Sequence, residues 1–508
     1  MKTSRRALLG AIGLAGLSGT ALTGCFGDSD STGSSSSRSE RIRIACLSAP
    51  RSSLSPFSDD AYKLIAWSAA ECLTVLDEEG TPQPNLATSW EQRSDTEWVF
   101  TLRDGVSFHD GTAFTAETAA NSLTRAAEAS PLPRVLTGVG LSASAEDGRL
   151  VVTTASPDPL LPNRMSSPSL CLLATAAYGA DATDPIGYGT GAFMIAGLNG
   201  NASASLDRYE DYWGEKALLA GIDATFVPDG TARASALRTG EADIAEAVPI
   251  GQLGGIDEEL IHEVRTSRTT SLYLNTASGP FADPAVRAAA RAAIDAQTLI
   301  DKVFEGHADL PEGLFGPALG WAAQARGRVG FDDLLSSRAG AATDLNGQAV
   351  TLATYSDRSE LPELAVQVQQ MLESAGFTVT QDVREYQYMN KEILDGGFDA
   401  VILSRAMTID TGDPVSTLAS DFGTEGSFNI PLLKDSAVDQ LIAAAGVIEP
   451  GEDRQDAIAR AEAGVLARDA VIPLLHERSL QGEGSGVAEC ARDPQERLLV
   501  TSRTNVTR

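Results

Sequence analysis

The sequence predicts an α/β protein of at least two lobes, and three observations lead there. The last third alternates strand and helix patterns: strands at 349–354, 377–382 and 399–403, helices at 361–374 and 388–394. That alternation argues for a parallel sheet covered by helices. The middle of the chain has another texture, with short strands set among Ala-rich helices. The length, 508 residues, exceeds what one continuous core usually holds. No internal repeat is present. In such an arrangement a cleft between lobes is the default ligand site.

The elements follow in chain order. Residues 1–24 have the three parts of a secretory signal: Lys2, Arg5 and Arg6, then an apolar run, then Leu22-Thr23-Gly24-Cys25. That tetrapeptide resembles a bacterial lipobox, which implies cleavage before Cys25 and a diacylglyceryl group on its thiol. Two acyl chains anchor where one would bind only marginally. Ser4-Arg5-Arg6-Ala7-Leu8-Leu9 resembles a twin-arginine signal, and an ordinary Sec signal remains the alternative. Residues 25–40 are rich in Ser, Gly, Asp and Thr and read as a lipidated flexible tether.

In the body, 41–47 reads as the first strand and 60–73 as a helix. A strand at 98–102 ends in the turn Arg103-Asp104-Gly105. Thr115 caps a helix to 128, with Glu117 in its first turn. Strands follow at 150–154, 203–208 and 222–227, then a helix 231–239 stopped by Gly240. A strand at 271–274 precedes a long helix from Asp283-Pro284 to 304, with Asp as cap and Pro in the first turn. A helix at 453–468 is the last clear element.

Net charge is −30, which argues against a nucleic-acid partner, since phosphate binding needs a basic surface. Cys46, Cys72, Cys171 and Cys490 show no metal or redox spacing; in an exported chain they are buried thiols or a disulfide, with Cys46 and Cys72 nearest in sequence. The four histidines are scattered, so no local metal motif exists. No G-x-S-x-G, H-E-x-x-H or other nucleophile signature argues for hydrolysis. The reading is of a non-enzyme without a cofactor.

Several ordered blocks carry a resemblance. They are Leu86-Ala87-Thr88-Ser89-Trp90; Phe100-Thr101-Leu102-Arg103-Asp104-Gly105-Val106-Ser107-Phe108-His109-Asp110-Gly111; and Phe114-Thr115-Ala116. Gly189-Thr190-Gly191-Ala192-Phe193, Tyr212-Trp213-Gly214, 233–243, and Tyr273-Leu274-Asn275 with Asp283 to Arg287 continue them. Together they resemble the peptide/nickel family (family 5) of extracytoplasmic solute-binding proteins of ABC importers. The resemblance implies a large type II, two-lobed periplasmic-binding-protein-like fold with an extra subdomain inserted in lobe I. Lobe I would hold 41–75, 187–275 and 471–508; the insert 76–186; lobe II 276–470. It implies a lipid-anchored extracytoplasmic monomer that closes around solute and delivers it to permease and ATPase subunits.

The stretch from Arg405 to Pro414 follows the 399–403 strand, where α/β proteins place ligand contacts. Asp410-Thr411-Gly412-Asp413-Pro414 resembles the segment whose first Asp holds a peptide ammonium in dipeptide-binding relatives. Arg405 lies near an arginine that holds a chelator carboxylate in nickel-binding relatives. Tyr62, Trp67 and Tyr386 are candidate cleft aromatics, with Trp67, in a helix, more suited to core packing. Arginines expected of each subgroup are absent: Cys171 stands near one position, and Arg358 lies just outside the helix holding the other. The ligand is read as a peptide or small amphoteric solute. A nickel or other metal–chelator complex is the alternative, and a peptide-sensing receptor or an extracellular hydrolase are readings of other classes.

Overall fold

The computed structural model describes residues 40–507 apart from Glu78 and Asp181. The export signal, Cys25 and all but the last residue of the tether lie outside the described residues. An eleven-stranded sheet runs through the body. Its first-lobe half centres on Arg41–Cys46, whose alternation buries Ile42 and Ile44. That strand runs parallel to Gly221–Phe226, which continues antiparallel through Ser203–Arg208 to Phe193–Asn199. The second-lobe half places Ala349–Tyr355 between parallel Thr378–Arg384 and Ala400–Ala406. Helix Glu360–Ser374 covers it, burying Leu361, Leu364, Ala365, Val368 and Leu372 at helical spacing.

Two long antiparallel strands, Ile261–Leu274 and Val471–Glu483, join the halves. Arg268 to Leu274 pair with Ala400–Ala406 in the second lobe. At the other end Glu483 and Gly482 pair with Ile244–Ala245 in the first. Register shifts between Arg265 and Thr269, so the irregularity falls where the lobes meet. The sheet is thus mixed, where alternation alone argued for a parallel one.

A separate four-stranded sheet lies in the first lobe: Ala87–Ser94, Glu97–Leu102, Arg149–Thr153 and Ser142–Glu146. Helix Ala116–Ala127 packs with it around Phe100, Phe108, Leu123 and Leu150. Thr115 caps this helix in a reciprocal pair with Thr118, and Glu117 lies in the first turn.

Three elements differ from the sequence reading. The helix at 60–73 is only Ala61–Ala66. Its Ala66 carbonyl accepts from Leu499 and Val500 (3.1 and 2.9 Å), so the C-terminal segment takes the bond that would continue it. The helix at 283–304 is two, Pro284–Ala293 and Ala296–Val303, because Asp295 caps the second through Thr298 N. The strand at 271–274 begins ten residues earlier, at Ile261. Cys46, Cys72, Cys171 and Cys490 are free thiols.

Candidate functional site

The strand Ala400–Ala406 is buried from Ala400 to Ser404 and reaches the core surface at Arg405. Beyond its carboxyl end lies a cavity of about 560 Å³ between the lobes. Tyr62 on one side and Tyr386, Arg405 and Asp410 on the other all line it, so the four residues singled out in the sequence share one wall system.

Arg405 gives Nε and Nη2 to the two carboxylate oxygens of Asp421, both at 2.7 Å. Asp421 is 0% exposed. Burial opposes the guanidinium charge, but the Asp421 carboxylate outweighs it and holds the group more firmly protonated than usual. Phe428 lies 4.0 Å from the guanidinium carbon. Nη1 of Arg405 has no partner among the described residues, which leaves its two N–H donors for a carboxylate.

Asp410 is also paired. Arg134 reaches it from the first lobe with Nε at 2.7 Å and Nη2 at 3.1 Å. Its carboxylate therefore already carries an internal cation. Tyr386 packs edge-on to Tyr355, ring centroids 5.5 Å apart, and burial raises its phenol pKa. Its backbone N–H donates to Asp357 (2.8 Å). Tyr62 presents its ring beside a hydroxyl that accepts from Lys63 Nζ at 2.8 Å.

Sequence reasoning missed Arg51, Asp59, Arg134 and Arg268, which line the same cavity. Arg134 follows Pro131-Leu132-Pro133 in a loop with no periodicity to mark it. Arg51 and Asp59 have no described side-chain partner. Four arginines (Arg51, Arg134, Arg268, Arg405) thus face three carboxylates (Asp59, Asp357, Asp410), on a chain of net charge −30. The wall is set against the sign of the whole chain. Arg358 lies elsewhere, bonded to Ser404 Oγ and Glu477 (2.7 and 2.6 Å).

Other motif residues build the scaffold. His109 Nε2 bonds the Gly191 carbonyl (2.9 Å), and burial lowers its pKa to about 4, so it is neutral. Tyr212 and Trp213 both donate to Glu71, each at 2.9 Å. Arg233 and Arg287 are buried and donate to backbone carbonyls. A Cβ on Gly189 or Gly191 would lie 2.0 Å from the Ala69 or Ser68 carbonyl oxygen, which explains that loop's glycines.

A two-lobed body with a polar, arginine-rich cavity between its lobes is the architecture of a solute-binding protein. The model of the bacterial extracellular solute-binding proteins, family 5 Middle, matches residues 81–429, and the chain belongs to that family. The nickel-binding protein NikA of Staphylococcus aureus is 25% identical over 396 residues, 77% of this chain and 79% of the relative. The periplasmic oligopeptide-binding protein OppA of Salmonella typhimurium is 25% identical over 451 residues, 80% of this chain and 81% of the relative. Among solved structures, Staphylococcus aureus NikA in complex with Ni(L-His)2 aligns with TM-score 0.76 at 22% identity, covering 92% of this chain and 100% of that one. Helicobacter pylori DppA in complex with peptide STSA aligns with TM-score 0.75 at 22% identity, covering 92% and 98%. The family consists of solute-binding proteins of ABC importers, and the type II two-lobed fold with an inserted first-lobe subdomain is that of these structures.

Proposed function

We propose that the interlobe cavity takes a peptide or a related small amphoteric solute and that closure of the lobes delivers it to a permease, with no bond broken. The observation that supports this is the cavity wall: arginine donors and carboxylates together, flanked by Tyr62, Tyr355 and Tyr386. A zwitterion needs both signs, and side chains of varied type tolerate aromatic faces. Arg405 acts through its remaining Nη1 donors, Asp410 through lone pairs left by Arg134, and Tyr62 and Tyr386 through their rings. The lobes divide as 41–75, 187–275 and 471–508 against 276–470, with 76–186 inserted, and the two long strands serve both. Export leaves a monomeric body tethered through Cys25.

The excess of arginine favours a second reading, a metal–chelator complex rich in carboxylates. Among the described residues no group of three or more His, Cys, Asp or Glu is placed to hold a metal ion, so a metal would arrive already ligated. Thermal shift against a dipeptide set and against nickel–histidine mixtures separates the two, because a solute that binds the native state raises Tm. Peptides raising Tm while nickel–histidine does not supports the first reading. The reverse pattern overturns it.

A further inference from the structure

The loop 407–413 is fastened on both sides. On the second lobe, Arg454 grips Asp413 with Nε and Nη2 (2.6 and 3.1 Å), and Thr417 Oγ1 donates to the Met407 carbonyl (2.9 Å). The Arg454 side chain is 3% exposed, so this mooring is dry. From the first lobe, three separate segments reach the same loop. Arg134 pairs with Asp410 through two bonds. Asn163 Nδ2, on a buried residue, donates to both the Gly80 and the Thr411 carbonyls (2.9 and 3.0 Å). Arg497 Nη2 donates to the Ile409 carbonyl (2.8 Å), while its Nη1 holds Ser166 Oγ (2.9 Å).

The backbones also touch. A Cβ on Gly80 would lie 2.8 Å from Gly412 O, and one on Gly412 would lie 2.6 Å from Leu76 Cδ1. Both glycines have positive φ, 79° and 70°. So close an approach needs two residues without side chains, one on each lobe.

We propose that the loop 407–413 is an interlobe clasp: the protein's own contacts stabilise the closed form, and a solute enters through transient release of the clasp. The closed population then depends on Arg134, Asp410 and Gly412 whatever the solute is. The proposal rests on the two-lobed architecture and not on the peptide reading.

The test uses the purified body without added solute. Small-angle scattering and hydrogen exchange are recorded for the wild type, Arg134→Ala, Gly412→Val and the charge exchange Arg134→Asp with Asp410→Arg. The clasp predicts a compact wild type and a larger radius of gyration for Arg134→Ala and Gly412→Val. In those two, amides of 407–413 exchange about tenfold faster. The charge exchange, which restores the pair, returns toward the wild-type radius. A wild type already as expanded as Arg134→Ala overturns the clasp, and so does an Arg134→Ala as compact as the wild type. Because no peptide is present, failure of the peptide reading leaves this result intact.

Discussion

Arg405 and Glu71 show how charge is handled at single positions. Arg405 keeps its charge in a half-dry wall because Asp421 neutralises two of its donors and leaves Nη1 over. Its place was legible because it ends an apolar strand; the partner Asp421 was not, since it lies sixteen residues on with no pattern to link them. Glu71 was not legible at all. It sits largely enclosed between Tyr212 and Trp213, and burial raises its carboxyl to about 7 from an ordinary 4.5. A raised folded-state pKa means the native state holds the proton more tightly. Its stabilising contribution is complete below about pH 4.5 and is lost as pH rises through about 7. Glu71→Gln, which stays neutral, should lose less Tm between pH 5 and pH 8 than the wild type does. In unfolding free energy the difference should be on the order of 3 kcal/mol. Equal pH slopes would show that Glu71 does not titrate there.

Among the elements, several short strands were legible: Arg41–Cys46, Ser203–Arg208 and Ala349–Tyr355 fall within a residue of where the sequence placed them. The two long strands were not. Ile261–Leu274 begins with His, Glu and Arg among its apolar residues, because its first half borders the lobe junction and faces different neighbours from its second. Helix ends were misjudged where distant segments intervene, as Leu499 and Val500 do at Ala66. The Gly189-Thr190-Gly191 loop was legible as a motif, but its reason is steric and needs the fold. Gly191→Ala should cost about 3 kcal/mol or more by urea unfolding, since backbone must move to admit the methyl group. Gly254→Ala, with nothing within 4 Å of its Cβ, should be near neutral. Equal effects at the two positions would remove the steric account.

Across the whole molecule, an acidic chain encloses a wall with more arginines than carboxylates. Net charge therefore describes the exterior and says little of the cleft. The family and the two lobes were legible from ordered blocks, most of which build scaffold and not site. Arg51, Asp59 and Arg134 were hidden because they come from irregular segments that only the fold brings opposite Arg405. Isothermal calorimetry of the purified body with a dipeptide set, on the wild type, Tyr386→Ala and Arg405→Lys, tests the cleft most directly. The account predicts one-to-one binding of at least one peptide and affinity weakened about tenfold or more in each variant. Absence of binding by every peptide, or binding that both variants leave unchanged, would contradict it.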